Sequence, residues 1–253
     1  MSRLHALLMG SAAVALATAS AYAASSGSFT GTVYNGNCTI NSGNGTFSTG
    51  GASFPIAFNP ISVQLSSGSG TALVVTPSAV TGLYTNNKIT NNSSSSTEDV
   101  GVQVQVTVTP TNGAVVAPGA IQIAPATPGD AGNGTDTGAT CSLTTAQAAA
   151  HGVTSCVIYD QRFTQISSQL LSQLASLNGF TTAFQQIEST LSAHTFNFYV
   201  QAPGGTYQFD VTAQLFVGNN NTAPASSVAG CFGPGTVTVQ QVKNFSFNTP
   251  IGF

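Results

Sequence analysis

Five valines, Val100, Val102, Val104, Val106 and Val108, alternate with Gly101, Gln103, Gln105 and Thr107. A period of two puts all five valines on one face of an extended strand. Such a face has to be buried against a second layer, so this stretch commits the chain to layered β structure. Residues 110–113, Pro-Thr-Asn-Gly, then turn the chain toward a second apolar stretch at 114–123, which reads as a hairpin. Short apolar stretches at 29–34 and 61–65 lie between Gly, Ser and Asn clusters, the mark of strands and turns. Phe196, Phe198 and Val200 run into Pro203, Gly204 and Gly205, after which Tyr207, Phe209, Val211, Ala213 and Leu215 alternate again. That is the pattern of a second hairpin. Val237, Val239, Val242, Phe245 and Phe247 predict a last strand, bulged where the alternation slips. Residues 86–97 and 219–227 are polar and read as exposed loops, and no internal repeat stands out.

Between Pro125 and Leu191 the period changes. Ser142 or Thr144 can cap a turn over residues 146–151 that Gly152 ends. Asp160 suits a helix N-terminus, and Phe163, Ile166, Leu170, Leu174 and Leu177 follow at steps of three and four, one apolar helix face. Asn178 and Gly179 break the run, and Phe184, Ile187 and Leu191 continue it, which predicts an αα-hairpin packed on the domain's own sheet. The expected fold is mainly β: a β-sandwich or jelly-roll-like domain of about seven to ten strands, with the helical hairpin inserted at about residues 142–193.

The first residues give an address. Arg3 precedes an apolar or small-residue run over residues 7–17, which ends in Ala21, Tyr22 and Ala23. This is the order of a secretory signal peptide, with small side chains before the cut, so residues 1–23 are read as a signal cleaved between Ala23 and Ala24. A spanning helix needs roughly 20 apolar residues, more than this segment or any downstream stretch supplies. Residues 24–253 are then expected to form one secreted, extracellular or cell-surface domain without a membrane span. Its four cysteines would be oxidised there. Cys141 pairs with Cys156 across a short loop, and Cys38 with Cys231 across nearly the whole chain. In the chain-entropy account the long bridge contributes about 4 to 5 kcal/mol. No C-x-x-C spacing or Cys-adjacent His supports a zinc site instead.

Charge is scarce: only 4% of the residues are Asp, Glu, Lys or Arg. After Ala23 the basic residues are Lys88, Arg162 and Lys243, against Glu98, Asp99, Asp130, Asp136, Asp160, Glu188 and Asp210. No basic patch can neutralise phosphates or anionic lipid, which excludes nucleic-acid partners and electrostatic membrane binding. A surface with so little repulsion favours association.

The same scarcity argues against an enzyme. Glu98 and Asp99 are sequence neighbours, so on a strand they point to opposite faces, and they read as a solvated strand edge. Asp210 is expected outward with Gln208 and Thr212. His151 and His194 fall at expected helix ends, where a cation is favourable. There is no G-x-S-x-G elbow and no carboxylate dyad, so no catalytic residue is named. Residues 130–136 carry Asp130, Asn133 and Asp136 among glycines, but they lack the acidic alternation and distal Glu of a calcium loop. No cofactor or metal is expected. Glycosylation sequons begin at Asn37, Asn44, Asn91, Asn92, Asn133, Asn220 and Asn244.

These features favour a secreted cell-surface structural protein without catalytic activity, a self-assembling filament (pilus-like), coat or adhesin subunit. Homopolymers would form by strand addition, with residues 24–34 or 237–253 as the donor. The alternative is a secreted carbohydrate-binding module, with Tyr or Phe rings and Asn or Gln gripping a surface glycan, although the chain has no Trp.

Overall fold

The valine alternation lies in a 16-residue strand, and all five valines are completely buried. The computed structural model describes residues 29–36, 38–40, 47–49, 54–65, 71–90, 96–111, 117, 119–125, 141–167, 169, 172–173, 183–217 and 227–242. In chain order the elements are β1 (Phe29–Tyr34), β2 (Cys38–Ile40), β3 (Phe47–Thr49), β4 (Ile56–Ala57), β5 (Ile61–Leu65), β6 (Thr71–Thr90), β7 (Ser96–Thr111) and β8 (Gln122–Ala124). There follow α1 (Thr145–Ala149), β9 (Val153–Ile166), β10 (Ala183–Thr195), β11 (Phe198–Ala202), β12 (Gly205–Val217) and β13 (Ser227–Val242).

Two antiparallel sheets share one core. The first runs β1-β13-β6 and then, along the far edge of β6, β10 beside its later half and β11 beside its start, with β8 outside β11. The second runs β12-β7-β9, with β4 and β5 end to end on the other edge of β12. Leu73, Val75 and Leu83 of β6, Val237 and Val239 of β13 and Phe198 of β11 meet the β7 valines and Tyr207 and Phe209 of β12 in one buried cluster. Burying each of these side chains contributes about 1.5–3 kcal/mol, so the core outweighs any single polar contact.

Both expected hairpins are instead crossings between sheets. β7 belongs to the second sheet and β8 to the first, and β11 and β12 are divided in the same way. The reason is that each strand has one apolar face that must meet a partner layer, so the chain passes from layer to layer. At the second crossing Gly205 has φ +156°, and the Tyr207 hydroxyl donates to the Pro203 carbonyl at 2.8 Å, which braces the corner.

The described residues do not form the expected helical hairpin. Residues 153–166 and 183–195 are strands, and no helix of seven or more residues exists among the described residues. In β9 Ile166 is buried while Phe163 is 61% exposed, and in β10 Ile187 and Leu191 lie together on the outer side. A spacing of four satisfies both helix and strand periods, and the β-branched and aromatic content of 153–166 decides for strand. Gln169, Ser172 and Gln173 have helical backbone, while Leu170, Leu174 and Leu177 lie outside the described residues. The short cap does form: Thr144 and Gln147 make a reciprocal capping box on α1, and Gly152 N–H closes the turn on the Gln147 carbonyl at 2.8 Å. The polar stretch at 86–97 also differs from expectation, because Asn86 to Thr90 extend β6 and Asn87 is buried.

Each sheet carries a disulfide-pinned clip on its outer face. Cys231 pairs across β6 with Gly82, and its bond to Cys38 holds the β2–β3 hairpin over that part of the first sheet. Cys156 of β9 is bonded to Cys141, which holds residues 141–152 over the second. There Gln105 Nε2 donates to the Ser142 carbonyl at 2.9 Å and Gln147 Nε2 to Asp210 at 3.2 Å. Cα separations of 5.5 and 5.9 Å lie within the usual disulfide range.

Candidate functional site

β9 and β10 are 14 and 13 residues long and border the same side of the molecule, one at the edge of each sheet. Among the described residues neither has a strand partner on its far edge. What sets their shape is an irregularity in β9. Val102 faces Asp160 while Gln103 faces Ile158, so Tyr159 is an extra residue and both Tyr159 and Asp160 point between the sheets. The ring of Tyr159 enters the core. Its hydroxyl accepts from Ala79 N–H at 2.8 Å and donates to the carbonyl of His194.

Beyond the bulge the inner side of β9 becomes polar. Arg162 donates to Glu188 of β10 at 2.7 Å, and Gln186 Nε2 donates to the other oxygen of that carboxylate at 2.6 Å. Thr81 Oγ1 donates to Asp160 Oδ2 at 2.5 Å, and His194 Nε2 lies 3.3 Å from the same oxygen. In a chain with so few charges, Arg162, Asp160, Glu188 and His194 all serve to tie β9 to β10 and β6. The Arg162 side chain is 14% exposed and that of Glu188 41%, so this ion pair is screened only in part. Burial also pushes the Tyr159 hydroxyl from its ordinary value of 10.0 up to about 12, against a smaller opposing effect of the Ala79 hydrogen bond.

This arrangement is not a hydrolytic triad. A hydrolytic triad needs a hydroxyl that hands its proton to an imidazole. Here Thr81 donates to the carboxylate, and His194 faces that same carboxylate oxygen. Among the described residues no three His, Cys, Asp or Glu side chains are grouped to hold a metal ion.

Several expected positions move. His194 is on the inner side of β10 instead of at a helix end, whereas His151 follows α1 with φ +56°. Glu98 and Asp99 do take opposite faces of β7, but they are not a solvated edge: both are buried, and they pair with Thr164 and Phe163 of β9. Asp99 accepts from Gln161 Nε2 at 3.0 and 3.1 Å. Asp210 points outward and is covered by α1. Residues 1–28, with Ala23 and Ala24, residues 130–136 and all seven sequon asparagines lie outside the described residues. No helix among the described residues is long and apolar enough to cross a membrane.

The polar ties were missed by sequence reading because Asp160, Arg162, Glu188 and His194 had been assigned to helices. Their mutual spacing by even numbers within each strand is the signal that points to one face. In comparisons with known proteins, no family model, curated protein or solved structure matches this chain.

Proposed function

We propose that the chain is an exported, self-assembling structural subunit of a cell surface, of the filament, coat or adhesin kind, in which a β-sandwich lends its open edges to neighbouring copies. The observation that carries this reading is the pair of long edges at β9 and β10. Their outward side chains include Ile158, Phe163, Ile187 and Leu191, all more than 40% exposed, and no charge. Natural edge strands are blunted by outward charge, proline, brevity, bulges or inward-pointing charges. β9 has a bulge and both strands carry inward charges, but outward charge, proline and brevity are absent, which leaves two long apolar outward faces.

β1 borders the first sheet on the opposite side, with Phe29 and Val33 exposed. An edge that meets the opposite side of the next copy generates an open chain instead of a closed dimer. In β13 residues 237–240 pair with both β1 and β6, so that part of the expected donor tail serves its own sheet. Residues 24–28 lie outside the described residues, and β1 completes its own sheet.

Charge placed on the outward faces tests the reading. Phe163→Lys and Ile187→Lys together are expected to abolish the high-mass species in light scattering while leaving the melting temperature within a few degrees, since exposed substitutions change stability by about 0.5 kcal/mol or less. Deleting residues 24–29 is expected to leave assembly in place. Assembly that survives the lysines but not the deletion would transfer the mechanism to the N-terminal strand.

A further inference from the structure

The clip formed by β2 and β3 covers only part of the first sheet's outer face, where Cys231 and Gly82 meet. The other part carries a level row across four strands. Phe29 of β1 is opposite Gln240 of β13, Gln240 is opposite Val74 of β6, and Val74 is opposite Tyr199 of β11. Phe29, at one end of the row, is 68% exposed and Tyr199 44% exposed, with the buried Ala124 of β8 beyond it. Three inter-strand steps separate them, about 14 Å at the usual strand spacing.

The neighbouring row holds Thr238 and Thr76, and Thr76 Oγ1 donates to the Asn197 side chain at 2.9 Å. The rows opposite residues 29, 31 and 33 of β1 contain only apolar, hydroxyl and amide side chains. Such a face has nothing to pair with phosphate, carboxylate or ammonium groups. It does offer what a sugar chain uses: aromatic rings for the C–H faces of the rings, with hydroxyls and an amide between them for the ring hydroxyls. The separation of the two aromatics suits several sugars in a row more than one.

We infer that this face binds a neutral polysaccharide. The site lies on the face of the sheet, away from the β9 and β10 edges, so a polymer of this chain could engage glycan along its length. Multivalent contact of that kind would raise weak individual affinities.

The test is depletion of the purified protein by solid cellulose and by chitin. Retention by at least one of them is expected, with little change as salt rises from about 0.05 to about 1 M, because no ion pair is involved. Phe29→Ala combined with Tyr199→Ala is expected to weaken retention about tenfold or more, the scale of losing aromatic anchors. Thr238→Glu, which puts a charge in the middle of the face, is expected to weaken it as well. Phe163→Ala, on β9, is the control and should bind normally. No retention by either polysaccharide overturns the inference, as does equal retention by wild type and the double variant. A double variant that loses self-association but keeps its glycan retention would assign the face to contact between copies and overturn it too.

Discussion

Tyr159 joins three requirements in one side chain: the extra residue of the β9 bulge, a ring in the aromatic group with Phe232 and His194, and a hydroxyl that satisfies Ala79 N–H and the His194 carbonyl. Tyr159→Phe keeps the ring and leaves buried backbone groups without their partner, which is expected to cost about 1–3 kcal/mol in chemical denaturation at neutral pH. The same hydroxyl gives a pH signature. Its folded value is raised to about 12, so the stability tied to its neutral form is fully present below pH 10.0 and is lost as pH rises through about 12. Burial raises Tyr207 as well, with the same sign. Unfolding free energy measured across this range should fall more steeply for wild type than for Tyr159→Phe, and parallel slopes would refute the assignment. Gly101 is a second sensitive position, since a Cβ there would lie 2.2 Å from a ring carbon of Phe216. Gly101→Ala is expected to lower stability by about 1–3 kcal/mol, as overpacking does, and an unchanged thermal melt would contradict it.

Among the elements, the two clips differ in what they close. Cys38–Cys231 spans 193 residues and Cys141–Cys156 spans 15, so the chain-entropy account assigns them about 5 and about 3 kcal/mol. Replacing each pair by serines should therefore lower stability in that order in denaturant titrations, and the reverse order would place the larger effect in local packing. The strands explain how far sequence reading reaches. β7 and β12 are legible because their apolar and polar faces alternate without interruption, and the turn at α1 because Thr144 is a capping residue and Gly152 a stop. β9 and β10 are not, because their exposed apolar residues fall four apart or opposite buried ones, a spacing helices share. The polar ties between them were hidden for the same reason: Asp160 faces His194, and Arg162 faces Glu188, only once both segments are strands in facing sheets. Sheet membership was beyond local patterns as well. A turn signal such as Pro-Thr-Asn-Gly at residues 110–113 reads alike whether the chain returns to its own sheet or crosses to the other.

At the scale of the molecule, scarce charge and bare edges belong together. The described charges of β9 and β10 are spent on inward ties, which stiffen the open side and leave its outer surface neutral. A neutral edge of this length is a hazard for a protein that must stay single and an asset for one that assembles. Assembly through these strands is expected to respond weakly to salt, since the outward faces of β9 and β10 carry no charge. Electron microscopy of the purified protein, with residues 1–23 removed, tests the central claim most directly. Ordered filaments or sheets that disappear in the Phe163→Lys, Ile187→Lys variant are the predicted result, and dispersed monomers at every protein concentration would contradict it.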